Sequence, residues 1–323
     1  MSPQEFMRRH EADWRALETA LAARAGTADA QALPERYRQA CQHLALARGR
    51  HYPPALVERL NQLVVRGHYR LYRSRQPLGG VAANFLLRDF PALVRAHAGL
   101  FALSALVFYG AFVAIALAIW WHPSLIYSVV DASQVREFEE MYDPARRTIG
   151  YRRDDASNFL MFGYYVQHNI GIGFRTFAGG MLAGVGSLVI LLFNGIGIGA
   201  VAGHLTRIGY TETFWSFVCG HGAFELTAIV LCGMAGLMLG RALVAPGRLR
   251  RGDALRLQAR EAVKIIYGAT LFLVLAALLE AFWSSSTQIP AAVKYGVAAV
   301  LWSAVALYFL LAGRGGEATH APR

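Results

Sequence analysis

The chain has 323 residues, 55% of them hydrophobic and 16% charged. Soluble domains average roughly 45–50% apolar and about 25% charged residues, so these proportions exclude a disordered chain, a disulfide-stapled secreted module and most water-soluble enzymes. The net charge of +11 fits the Arg and Lys that collect in cytoplasmic loops of membrane proteins. It does not call for nucleic acid, because no basic run interleaved with exposed aromatics stands outside the membrane-flanking stretches.

The opening MSPQEFMRRHEADW is charged throughout and has no apolar core, so it does not read as a signal peptide. Residues 1–81 read as a cytoplasmic helical bundle. Ser2, Pro3 and Glu5 form a helix-start signature, and Met7, Trp14, Leu17 and Leu21 follow on one apolar stripe. A second helix is predicted from Leu33 to Arg48. Pro53 and Pro54 punctuate the chain, and a third helix carries Leu56, Leu60, Leu63 and Leu71. Three such amphipathic helices suffice for a small bundle. Residues 82–96, built around Arg88 and Asp89, read as an amphipathic helix lying at the membrane interface.

The transmembrane domain is predicted over 97–313, in an all-α polytopic fold with six spans: 98–121, 158–178, 181–205, 213–242, 264–284 and 290–312. An outer loop, 122–157, carries seven acids and five arginines. An inner loop, 243–263, and a disordered tail, 314–323, complete the organisation. The stretch 241–264 holds Arg241, Arg248, Arg250, Arg251, Arg256, Arg260 and Lys264 against Asp253 and Glu261, which places it on the cytoplasmic side with the Arg-rich N-terminal region. Four spans between them satisfy both placements and three do not. Six spans then put both termini in the cytoplasm. The 158–178 segment either spans or re-enters.

Eleven glycines fall between 163 and 203. Gly195, Gly199 and Gly203, the pair Gly180 and Gly184, and the pair Gly236 and Gly240 have small-xxx-small spacing, which lets helices approach closely. They serve packing within the chain, a homodimer face or a flexible gate. At membrane depth stand Gln167, His168, Asn169, Arg175, Asn194, His204, His221, Glu225 and Glu280. Ionisable groups there are costly and usually face a bundle interior or a water-filled cavity. The candidate polar site is His168, Asn169, Arg175, Asn194, His221, Glu225 and Glu280.

The sharpest local pattern is GHGAFEL, in which His221 and Glu225 stand four apart on one helix face. That pair could make a buried hydrogen bond, form part of an ion or proton path, or ligate a metal. A metal wants a third protein ligand, for which His168, His204 and Glu280 are the candidates. No second histidine follows His221 at the zinc-protease spacing. Glu280 is expected to pair with Arg175 or Lys294, or to snorkel to the interface. Cys41, Cys219 and Cys232 show no metal-binding spacing. With no phosphate-binding loop and no nucleophile elbow, we assign no catalytic residue, no cofactor and no metal.

The order of features resembles the stage II sporulation protein M family of integral membrane proteins. The resemblance covers nearly the whole chain and is carried by PERYRQACQHLALAR, LNQLVVRGHYRLY, QHNIGIGFRTFAGGMLAGVGSLVILLFNGIGIGAV, GHGAFELTAIVLCGMAGLMLGRALVAPGRLRR and LLEAFW. Gln167-His168-Asn169 stands where the family suggests paired asparagines, and Cys219-Gly220 where a proline often precedes the histidine. The family's namesake is a polytopic member of a complex with peptidoglycan-degrading partners. Relatives in bacteria that make no spores are often predicted beside AAA-type ATPases and von Willebrand factor A-like proteins. The resemblance implies a membrane scaffold or complex component tied to envelope processes, with membrane lipids, a homodimeric copy and envelope or ATPase-type proteins as partners. It implies no catalytic residues. The alternatives are a transporter or channel for a small ion or solute and, behind it, an intramembrane metal-dependent enzyme.

Overall fold

The computed structural model describes residues 1–23, 31–72, 78–145 and 155–314. All regular structure among them is helical, and the chain divides into two compact units, Met1–Val81 and Ala82–Arg323.

The first unit contains α1 (Pro3–Ala22), α2 (Leu33–Gly49) and α3 (Pro54–Tyr72). Ser2 caps α1, its Oγ accepting the Glu5 backbone N–H at 3.2 Å. Phe6, Trp14, Leu17 and Ala20 of α1 pack with Leu33, Ala40 and Leu44 of α2 and Leu56, Leu60 and Leu63 of α3 in one buried core. Trp14 Nε1 donates to His43 Nδ1 inside it. Arg59 reaches back to α1, donating to both Glu11 carboxylate oxygens at 2.9 Å, and its guanidinium lies 5.5 Å from the Trp14 ring centroid.

The second unit opens within α4 (Leu78–Asn84), which continues through a π-helical turn, Phe85–Asp89, into α5 (Phe90–Ala96). Residues 82–96 form the end of α4, the π-helical turn and α5. Phe90 is fully buried against Gly268, Phe272 and Phe309, so the apolar face of α5 packs on protein.

The remaining helices are α6 (Ala98–Trp121), α7 (Ile126–Val129), α8 (Ala132–Tyr142), α9 (Asp155–Ala178), α10 (Val185–Arg207), α11 (Thr211–Val244), α12 (Arg251–Leu278, extended by a π-helical stretch, Leu279–Ser284) and α13 (Ala291–Leu311). Five of them (α6, α10, α11, α12 with its extension, and α13) are long and apolar enough to cross a membrane. The predicted second span is present as α9, which packs against α10, α11 and α12 but is not among those five. Its Gln167, His168, Asn169 and Arg175 lower its hydropathy.

Two loop assignments change. The predicted inner loop 243–263 shrinks to the residues between Val244 and Arg251, because α12 begins thirteen residues before the apolar window does. Residues 251–263 are mostly good helix formers, with Ala254 and Ala262 buried while Arg251, Arg256 and Arg260 stay exposed. The outer segment 122–157 is not a plain loop, since it carries α7 and α8. Residues 146–154 and the tail from 315 onward lie outside the described residues.

α11 is the central helix: 83% of its most apolar stretch is buried, against 11% for α6. Glycines set the packing around it. A Cβ at Gly180 would fall inside contact distance of the Gly236 carbonyl, and one at Gly240 inside that of the Gly184 backbone. On the other side, Gly195, Gly199 and Gly203 of α10 face Phe108, Phe112 and Ala116 of α6. These faces are therefore filled from within the chain. The turn between α9 and α10 requires left-handed backbone at Ala183 and Gly184 (φ 56° and 85°); alanine there costs about 1–2 kcal/mol, which the surrounding close packing must sustain. The pairings also fix direction. α6 runs parallel to α10, and the end of α9 meets the far end of α11, so the long helices α6, α9, α10 and α11 alternate in sense.

Candidate functional site

All seven residues of the candidate polar site line one cavity of about 870 Å³. His168, Asn169 and Arg175 come from α9, Asn194 from α10, His221 and Glu225 from α11, and Glu280 from the π-helical end of α12. α8 closes part of the rim with Gln134, Phe138 and Tyr142. His168 and Arg175 are exposed at the mouth, whereas Asn169, His221 and Glu280 are buried.

The four-residue separation on α11 turns His221 and Glu225 to the same side. His221 Nε2 lies 3.8 Å from Glu225 Oε2, and its Nδ1 is 3.0 Å from Ser284 Oγ. Phe217, one turn earlier, meets the imidazole edge-on with centroids 5.4 Å apart. The histidine is thus fixed on two sides, with Nε2 facing the carboxylate. Ser284 belongs to the same π-helical stretch as Glu280, and such widened turns recur at functional sites. The stretch is itself held by Lys294, which is buried and donates from Nζ to the Ser284 carbonyl at 2.8 Å.

His221, Glu225 and Glu280 each offer a ligand atom within 4.8 Å of the other two. Of the third ligands the sequence suggested, Glu280 therefore joins the pair. His204 serves elsewhere: its Nε2 lies 2.7 Å from a Glu139 carboxylate oxygen, tying α8 to α10. Arg175 Nε donates to the Gly171 carbonyl of its own helix, and Asn194 Nδ2 to the Ile190 carbonyl. Asn169 is 4% exposed, and its Nδ2 meets no acceptor among the described residues.

Sequence reading missed Ser284, the orienting partner of His221, and the α8 contribution to the rim. Ser284 lies sixty-three residues from His221 in a WSSS run that looks like an ordinary interfacial end, and no spacing rule links the two.

The family model for stage II sporulation protein M matches residues 98–285. The chain belongs to that family. Its matched region holds the cavity, all seven polar residues and Ser284, and it ends one residue past the π-helical stretch. A second model, a domain of unknown function (DUF8413), matches residues 4–73, the three helices of the first unit. No curated protein and no solved structure matches the chain. This is therefore a multi-pass integral membrane protein of the stage II sporulation protein M family, with a separate helical N-terminal unit.

Proposed function

We propose that the membrane domain of this stage II sporulation protein M family member takes up a small ion or polar solute in the α9–α12 cavity, as a transporter does. The observation that carries this reading is the convergence of seven polar or ionisable side chains from four helices on one cavity. Such groups are expensive at membrane depth and tend to face ligand or ion pathways. The alternating directions of α6, α9, α10 and α11 support α9 as a crossing helix. That satisfies the charge rule with both termini and the α11–α12 turn in the cytoplasm, and it puts the α8-rimmed cavity toward the outer side of the inner membrane.

Gly197 offers the test. It lines the cavity, and a Cβ there meets nothing within 4 Å. Gly197→Trp should push an indole into the cavity and reduce protein-dependent flux in proteoliposomes, measured with proton-, sodium- and divalent-responsive dyes. Gly197→Ala should keep it. Wild-type vesicles without flux for any of these ions would reject cation transport, and flux unaltered by Gly197→Trp in a folded protein would reject the cavity as its path.

A second reading is favoured by the N-terminal unit, which has its own core and its own family match. It is that of a scaffold for envelope or ATPase-type proteins, with that unit as the docking module. Purification from native membranes in mild detergent should then yield a stoichiometric second protein. Recovery of this chain alone, or as a homo-oligomer, would remove the scaffold reading.

A further inference from the structure

We propose that His221, Glu225 and Glu280 form a binding site for one divalent first-row transition-metal cation. This deepens the cavity reading above and rests on it for access to the site. The trio combines one imidazole and two carboxylates from two helices, with ligand atoms mutually within 4.8 Å. Two ligands about 2.1 Å from a common tetrahedral ion lie roughly 3.4 Å apart, so the 3.8 Å between His221 Nε2 and Glu225 Oε2 closes onto an ion with a small rotation of either side chain.

Three further features suit a metal. Ser284 Oγ at 3.0 Å from His221 Nδ1 supplies the outer contact that ligating histidines regularly have. It leaves Nε2 facing the carboxylate. A divalent ion balances the charge of two carboxylates in a site where unbalanced charge is costly. Asn169 lines the same cavity and carries a buried donor, Nδ2, with no acceptor among the described residues. A water or anion in the open fourth position of a three-ligand ion is an acceptor of the right kind. Arg175 also lines the cavity, but it is exposed and six residues further along α9 than Asn169, about 9 Å of helix. Imidazole with carboxylate favours zinc, manganese, iron or cobalt over magnesium or calcium.

The test uses the purified full-length protein in detergent, stripped with chelator and titrated with Co²⁺, Zn²⁺, Mn²⁺, Mg²⁺ and Ca²⁺. One equivalent of Co²⁺ per chain should bind with a visible d–d band, and Zn²⁺ should displace it. His221→Ala, Glu225→Gln and Glu280→Gln should each weaken binding about tenfold or more, and Ser284→Ala by about tenfold. His122→Ala, at a membrane-domain histidine that does not line the cavity, should leave it unchanged. X-ray absorption on the wild-type protein should show a single imidazole with oxygen ligands, which keeps the proposal testable if a variant fails to fold. Absence of saturable binding, binding indifferent to all three ligand substitutions, or a wild-type spectrum without imidazole would overturn it. Stoichiometric metal without flux would sustain this site and reject transport. Flux blocked by Gly197→Trp with no metal bound would do the reverse.

Discussion

Gly236→Val is expected to abolish recovery of the folded membrane domain. Gly236 sits where the end of α9 crosses α11, and a Cβ there would collide with Ser187 Oγ and stand 3.0 Å from the Thr176 and Phe177 carbonyls. Ser187 has no room to yield without loss. It is fully buried, and its hydroxyl donates to the Thr176 carbonyl at 2.6 Å, so displacing it leaves a buried polar group unpaired at about 1–3 kcal/mol. The other obstacles are backbone, including Gly180 packed on Gly236 itself, and backbone cannot change rotamer. The cost should reach or pass the roughly 1–3 kcal/mol typical of core overpacking. The matched comparison is Gly197→Ala on α10, where the methyl group meets open space and better helix propensity should stabilise by up to about 1 kcal/mol. Yield, gel-filtration profile and thermal unfolding in detergent report both. A Gly236→Val protein that elutes and melts like the wild type would show that α9 separates from α11 freely.

This contrast between two glycines marks how far the sequence could be read. The glycine spacings are visible in the chain and predict close helix approach. They do not say which neighbour approaches, because a small-xxx-small face is equally suited to a helix of the same chain and to a second copy. The helix ends were less legible than the apolar windows. The window of α12 begins near Lys264, yet its first three turns mix charged residues with alanine and leucine, most of them good helix formers, and a hydropathy window passes over them. The seven polar residues of the cavity could be picked out singly, since each violates the rule for its surroundings. Their convergence could not, because it depends on the alternating directions of α9, α10 and α11 and on a π-helical stretch that no local pattern announces. Ser284 illustrates the limit: it matters only because that stretch sets it beside His221.

The second large effect is predicted in the N-terminal unit. Trp14→Ala should open α1–α3 while leaving the membrane domain folded. Trp14 is 1% exposed. It is packed by Phe6, covered by the Arg59 guanidinium and hydrogen-bonded to His43. Truncating such a residue costs about 3–5 kcal/mol, against a total of roughly 5–15 kcal/mol for a domain, and a unit of this size lies at the low end. Hydrogen–deuterium exchange of peptides within 3–72, read in the full-length protein, should show loss of protection confined to that unit. The same opening should be approachable by acid. Burial, and secondarily the neighbouring His10, hold the His43 proton affinity below the usual histidine range, with Asp13 opposing. The unfolded unit therefore takes up a proton near pH 6.5 that the folded one refuses. Stability from this group is complete above about pH 6.5 and falls as the pH drops from there toward the lower folded value. Protonation at Nδ1 would also remove the acceptor of the Trp14 bond. Glu11, held low first by its hydrogen bonds to Arg59, adds its loss only below the ordinary carboxylate range of about 4.3. Protection in 3–72 should thus decline in two steps, and His43→Gln should erase the upper one. If protection is equal at about pH 7 and 5.5 once intrinsic exchange is corrected, the His43–Trp14 contact does not contribute as its burial demands.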